Sequence, residues 1–224
     1  MSRSRATAGL GWGLLGGYAV VSIVRHVMTR RAWRPPAAGP EPEVVVLQPI
    51  LSGDPYLAEQ LGANLANHPN VRFRWLVDES DTEGLRVAKE LAEGVERVEV
   101  RWYGGAPAGV NPKLYKLARA VDSADDLVAV LDDDTVLPVG TLARAATLLA
   151  DADLVTGIPY YLPSGGLWSR LVAAFVNGSA LVSYLPLSLV GEPVSINGMF
   201  YVTTRAALER VGGFAKIEDK VCDD

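Results

Sequence analysis

The chain has 224 residues, 49% of them hydrophobic and 21% charged, enough apolar material for one full core and not the composition of a disordered chain. A net charge of -5 excludes nucleic acid as the main partner, because phosphate backbones are met by clustered Lys and Arg. A lone cysteine, Cys222, allows no intrachain disulfide, and the two histidines, His26 and His68, leave no His-rich zinc site. Any bound metal must therefore rest on carboxylates, which favour magnesium or manganese.

From Ala6 to Val24 no charged residue interrupts a run rich in Gly, Leu, Val and aromatics. Crossing a bilayer core as a helix takes ~20 residues, and the run is about that long. Gly9, Gly13 and Gly17 have the spacing that lets a second helix approach, which is also ordinary membrane-helix composition. No small-residue cleavage site follows, which argues against a secretory leader. Arg25, Arg30, Arg31 and Arg34 follow the run and only Arg3 and Arg5 precede it, so the positive-inside rule places the downstream chain in the cytoplasm. Residues 1–34 are thus expected to be a single-pass membrane anchor with its basic flank, and the Pro-rich residues 35–41 a linker.

Beyond the linker, apolar runs alternate with helical patterns. Val44–Leu47 reads as a buried strand, Pro49–Pro55 as a loop, and Tyr56–Asn67 as a helix. A strand over Phe73–Val77 ends at Asp78; a helix near Glu83–Glu93 and a strand at Val98–Trp102 follow, then a helix over Asn111–Val121 and a strand over Leu127–Leu131. This alternation predicts an α/β fold with a mostly parallel sheet flanked by helices. Ligands of such sheets bind beyond the carboxyl ends of the strands. Asp54, Asp78 to Asp81 and Asp132 to Asp134 all fall there. Ser195–Phe200 reads as a loop entering a strand, with Gly198 as a point of close backbone approach or a plain turn. The long apolar stretch Leu167–Val190 is either a core helix or, the preferred reading, a membrane-surface element.

Three adjacent carboxylates, Asp132, Asp133 and Asp134, repel one another unless a cation neutralises them. On an extended strand end Asp132 and Asp134 would face one side and could share a metal that bridges nucleotide phosphates. The alternative is that Asp134 or Thr135 caps a helix near Thr141. Lys113, in Asn111-Pro112-Lys113, opens a helix, and a phosphate there would use both the helix N-terminus and the lysine.

Taken in order, Asn111-Pro112-Lys113, the run Leu127 to Asp134 and the run Leu154 to Tyr160 resemble the ceramide glucosyltransferase family, inverting GT-A glycosyltransferases related to glycosyltransferase family 2. The resemblance runs from about Val44 to Asp224 and implies a GT-A-type domain over residues 42–224, preceded by one N-terminal transmembrane helix. It also implies a nucleotide-sugar donor, with a UDP-sugar expected, a divalent metal (magnesium or manganese), and a lipid acceptor that is ceramide- or hopanoid-like. By position, Asp81 matches the nucleotide residue, Asp132 the metal and diphosphate residue with Asp134 completing a D-x-D, and Asp224 the catalytic base after Gly212-Gly213-Phe214. The family's later Q/R-x-x-R-W motif and C-terminal membrane segments do not follow, so the sequence reads as C-terminally truncated.

Asp132 to Val136 also fits D-x-D-x-[TV], the haloacid-dehalogenase-type phosphohydrolase motif. There Asp132 would be a nucleophile, Asp134 a general acid, and Asp223 and Asp224 magnesium ligands. That motif ends the first strand of its domain, whereas three strands are expected before this one. The remaining alternative is a membrane protein that binds nucleotide-sugar without turnover.

Overall fold

The computed structural model describes the backbone of residues 2–191 and 195–220, and side chains from residue 11 on. The chain forms two compact units, one of Met1–Pro35 with Ile158–Val194, the other of Pro36–Gly157 with Ser195–Asp224. In chain order, α1 (Ser2–Ala32) lies in the smaller unit. The larger unit then contributes β1 (Val45–Ile50), α2 (Leu57–Asn67), β2 (Arg72–Asp78), α3 (Thr82–Ala92) and β3 (Val98–Tyr103). It continues with α4 (Pro112–Ala120), β4 (Leu127–Leu131), α5 (Thr141–Leu148) and β5 (Leu154–Thr156). Helix α6 (Leu167–Tyr184), prolonged by a 3-10 segment at Leu185–Leu189, belongs to the smaller unit, and β6 (Phe200–Thr204) and α7 (Arg205–Arg210) to the larger.

The six strands form one sheet in the order β3-β2-β1-β4-β6-β5. Strands β1 to β4 run parallel, while β6 is antiparallel to β4 and β5 antiparallel to β6. The α/β, mostly parallel expectation holds. Period-two alternation sorts the buried side chains onto two faces. Val46, Phe73, Trp75, Val77, Ala129 and Leu131 pack with residues of α2, α3 and α5. Val45, Leu47, Leu76, Val128 and Val130 pack against Leu114, Leu117 and Ala120 of α4. Both faces are covered, so the strands read as continuous apolar runs.

Two local features depart from the sequence expectation. Strand β1 continues through Pro49, which had been read as loop. Its pairing with β4 covers only Val45–Leu47, so beyond that point a proline leaves no β4 ladder bond unmade. Mid-strand Arg74 is buried on the α4 side. Its guanidinium donates to Ala120 O (2.5 Å), Asp125 (2.7 Å) and Glu99 (2.8 Å) and lies 2.8 Å from Asp122. A buried cation thus meets the C-terminal end of α4, where the helix dipole favours it.

In the smaller unit, the Arg25 side chain of α1 donates to Val182 O (3.0 Å) and Ser183 Oγ (3.1 Å) on α6. Arg31 and Arg34 stand beside Ser188 and Leu189, so the two segments run in the same direction at this end. Within α6 only Ala173 and Ala180 are buried, which removes the core-helix reading of Leu167–Val190. The run Ala6–Val24 is helical as expected. Among the described residues, however, the helix long and apolar enough to cross a membrane is Leu167–Leu189 and not the N-terminal one. Five glycines, Gly9, Gly11, Gly13, Gly16 and Gly17, dilute the hydropathy of α1.

Removing Arg74 leaves Asp125 buried without its nearest cation, so Arg74→Met should cost about 3–5 kcal/mol in urea unfolding. Asp122 is held below the usual carboxylate range chiefly by its hydrogen bond from Arg101. The stability it contributes is present above the ordinary carboxylate pKa of about 4 and is lost as pH falls through the depressed value. In Arg101→Gln the acid-side fall of the stability profile should therefore be shallower; an unchanged slope would contradict this origin.

Candidate functional site

The expected ligand end of the sheet is built by α4 and the loops after β1, β2 and β4. Asn111 caps α4, its Oδ1 accepting from the backbone N–H of Lys113 (2.9 Å) and Leu114 (3.2 Å). Pro112, at the first helical position, presets the backbone. Asn111 thus already takes two of the N-terminal amides that a phosphate was expected to meet. Asn111 is itself anchored, donating from N to Glu218 O (2.8 Å) and from Nδ2 to Lys220 O (3.3 Å). Glu218 and Lys220 are thus held at the start of α4; Asp224 lies outside the described residues.

Lys113 Nζ lies 2.7 Å from Asp132 Oδ1 and donates to Gly198 O at 3.4 Å. Lys116 Nζ lies 2.7 Å from Asp78 Oδ2 and is almost completely buried. Residues three apart are neighbours on one helix face. From that face one lysine reaches the end of β4 and the other the end of β2, on either side of β1. Lys116 was not among the residues singled out, although its spacing from Lys113 is a readable signal.

The acidic triplet has three different environments. Asp132 is fixed by its backbone, its N–H donating to Met199 O (2.9 Å) and its carbonyl accepting from Gln48 Nε2 (3.1 Å) and Thr135 N (3.2 Å). Asp133 accepts from Leu51 N (2.7 Å), and burial pushes its pKa up. Asp134 is exposed, in contact with Thr135 Oγ1 at 3.2 Å. Strand β4 ends at Leu131 and the Asp132–Thr135 turn follows, so strand alternation does not bring Asp134 to the side of Asp132 as expected. Neither Asp134 nor Thr135 caps α5; its N-cap is Gly140, at φ +79°.

Asp81 caps α3 through Gly84 N (2.9 Å) and holds the loop after β1 through Ser52 N (2.7 Å). Burial is the largest influence and opposes its ionisation, but the hydrogen bonds from Ser52 and Gly84 outweigh it and hold the carboxyl below its usual pKa. A Cβ at position 84 would collide with the Asp81 carboxylate and displace this cap. Asp81 and Asp133 thereby grip adjacent residues of one loop.

Helix α2 supports the triplet from the other face, a role the sequence did not reveal. Asn64 donates to Thr135 O and accepts from Leu137 N, both at 2.8 Å, and Asn67 donates to Leu137 O at 2.9 Å. His68 is buried between Glu41 and Leu137 O, a structural position.

Among the described residues no group of three His, Cys, Asp or Glu side chains is placed to hold a metal. The carboxylates present, Asp132 and the exposed Asp134, are the oxygen donors that magnesium or manganese takes when substrate phosphates complete its shell. The triplet follows the fourth strand, which removes the phosphohydrolase reading. Replacing the lysines separates their roles. Lys116→Met, which strips the buried partner from Asp78, should cost about 2–3 kcal/mol in urea unfolding. Lys113→Met, at a more open pair, should cost under about 1 kcal/mol; equal losses would refute the distinction.

The profile of Glycosyl transferase family 21 matches residues 14–224. Comparison with curated proteins gives no match. Among solved structures, the chain is similar to the mannosyltransferase PcManGT from Pyrobaculum calidifontis in complex with GDP-Man and Mn2+, with TM-score 0.62 and 19% identity over 92% of this chain and 58% of that one. It also matches S. aureus TarS in complex with UDP (TM-score 0.40, 17% identity, 55% of this chain and 40% of that one). A third match is the galactosyltransferase LgtC with donor and acceptor sugar analogues (TM-score 0.41, 16% identity, 78% and 62%). The first likeness shows the fold, a mostly parallel mixed sheet like that of GT-A glycosyltransferases. The chain spans 58% of the length of that structure.

Proposed function

The chain belongs to glycosyl transferase family 21, and from that membership we propose that it moves a sugar from a nucleotide-sugar donor, a UDP-sugar, to a lipid acceptor of the ceramide or hopanoid kind, with inversion. The observation that carries the reading is the 2.7 Å contact of Lys113 with Asp132 at the end of β4. A cation and a carboxylate held there by two different elements form a site that an incoming diphosphate and a divalent ion would each partly replace.

Asp132 and Asp134 would hold the magnesium or manganese ion, and the ion when bound supplies Lewis-acid neutralisation of charge on the leaving diphosphate. Lys113, released from Asp132, shares that charge. Asp81 orients the nucleotide side by fixing the Ser52 loop. Asp224 takes the proton of the acceptor hydroxyl as its oxygen attacks the anomeric carbon and the bond to the diphosphate breaks on the opposite face.

The membrane reading also belongs to this proposal. Helix α1 anchors the chain, with the glycosyltransferase unit (residues 42–224 as read from sequence, less the α6 segment) on the cytoplasmic side. The α1 and α6 segments run in the same direction, and α6 is preceded by nine non-helical residues, Ile158–Gly166. Nine extended residues span at most ~30 Å, and such backbone is not tolerated in lipid. With α1 crossing, α6 is therefore read as a surface helix.

Asp132→Asn, Asp134→Asn and Lys113→Met should each weaken manganese-dependent UDP binding about tenfold or more in calorimetry, the loss of one charge-assisted contact. Unchanged metal-dependent affinity in all three would refute the site. Asp224→Asn should keep donor binding and lower transfer by ~10²–10⁴-fold, the usual contribution of a general base. Undiminished transfer would remove Asp224 from the mechanism. Donor affinity with no product from any lipid acceptor would identify a binding protein instead.

A further inference from the structure

The net charge of -5 is unevenly distributed. The smaller unit holds seven arginines and one acidic residue, Glu192, of the 26 in the chain. Arg25 is used internally, holding the end of α6. Arg31 and Arg34 make no hydrogen bond or ion pair among the described residues, and with Ala32, Ser188 and Leu189 they line a cavity of about 650 Å3. Around it Trp33, Leu187, Leu189 and Val190 are exposed, Val190 by 72%.

We propose that this cavity binds the phosphate headgroup of an anionic phospholipid. Two guanidiniums present planar forks of donors that match phosphate oxygens, and the Ser188 hydroxyl can add one more. No described carboxylate of this unit neutralises the pair, so the two like charges are stabilised by an anion. The apolar rim decides between anion sources. Free phosphate gains nothing from Leu187, Leu189 and Val190, whereas acyl chains lie against them and Trp33 takes the interfacial position such rings favour.

The proposal stands apart from the transferase reading, and its test needs neither donor nor acceptor. The full chain in neutral detergent is titrated with short-chain phosphatidylglycerol, the same-chain phosphatidylcholine, and inorganic phosphate, following the thermal midpoint and calorimetric heat. Phosphatidylglycerol should bind about thirtyfold more tightly than phosphatidylcholine, the weight of two arginines near an anionic lipid. Arg31→Ala with Arg34→Ala should abolish that preference, and Arg170→Ala, in the same unit but outside the cavity, should retain it. If the double alanine variant does not fold, Arg31→Lys with Arg34→Lys keeps the charge but not the forks, and should bind phosphatidylglycerol more weakly. Equal affinity for the two lipids, binding unaltered in the arginine variants, or inorganic phosphate binding as tightly as phosphatidylglycerol would overturn the proposal.

Discussion

The fixing of α4 to the sheet by three charged contacts is the constraint on which the candidate site depends. Lys113 meets Asp132, Lys116 meets Asp78, and Arg74 meets the Ala120 carbonyl at the far end of the helix. The first two draw together carboxylates at the ends of β4 and β2 that would otherwise repel across β1; the third places a cation where the helix dipole is negative. The apolar face of α4, with Leu114 and Leu117, supplies adhesion but no register along the helix axis. Register comes from the ion pairs, which are partly or wholly buried and so less screened than surface pairs. Side chains of α4, of β2 and of the turn after β4 thus hold the candidate site together.

The same logic explains why three adjacent aspartates are not interchangeable. Asp132 faces α4 because residues 128, 130 and 132 alternate onto that side, and it finds a lysine there. Asp133 points the other way and accepts from the amide of Leu51; burial, against that hydrogen bond, raises its pKa. Asp134, within the Asp132–Thr135 turn, is exposed to solvent. Asn64 and Asn67 hold the backbone just beyond, so that the turn exposing Asp134 is fixed from below.

What could be read from sequence was whatever depended on neighbours in the chain. The four parallel strands appeared as apolar runs, and the helix that carries Lys113 as the pattern over Asn111–Val121. What could not be read depended on distant partners. Strand β5 has three residues, and the antiparallel direction of β6 is set only by its pairing with β4. Arg74 sat between Phe73 and Trp75 as an anomaly in an apolar strand, and only the acidic residues around α4 and β3 explain it. The grouping of Ile158–Val194 with the N-terminal helix follows from packing that no local pattern encodes.

The overall charge was the least informative number in the sequence. A value of -5 averages over two unlike units, of which the larger carries 25 of the 26 acidic residues. In the larger unit Asp78, Glu99, Asp122, Asp125 and Asp132 are each matched by a lysine or arginine. Among the described arginines of the smaller unit, Arg25 makes side-chain hydrogen bonds, whereas Arg31 and Arg34 make none. Long-range fields follow unmatched charge rather than total charge, and they decay within a Debye length of about 8–10 Å. Toward an anionic surface, the arginines near the C-terminal end of α1 therefore dominate at close range, while the buried ion pairs of the sheet contribute little. Charge is thereby separated along the chain, with carboxylates gathered in the larger unit and, among the described residues, arginines without carboxylate partners in the smaller.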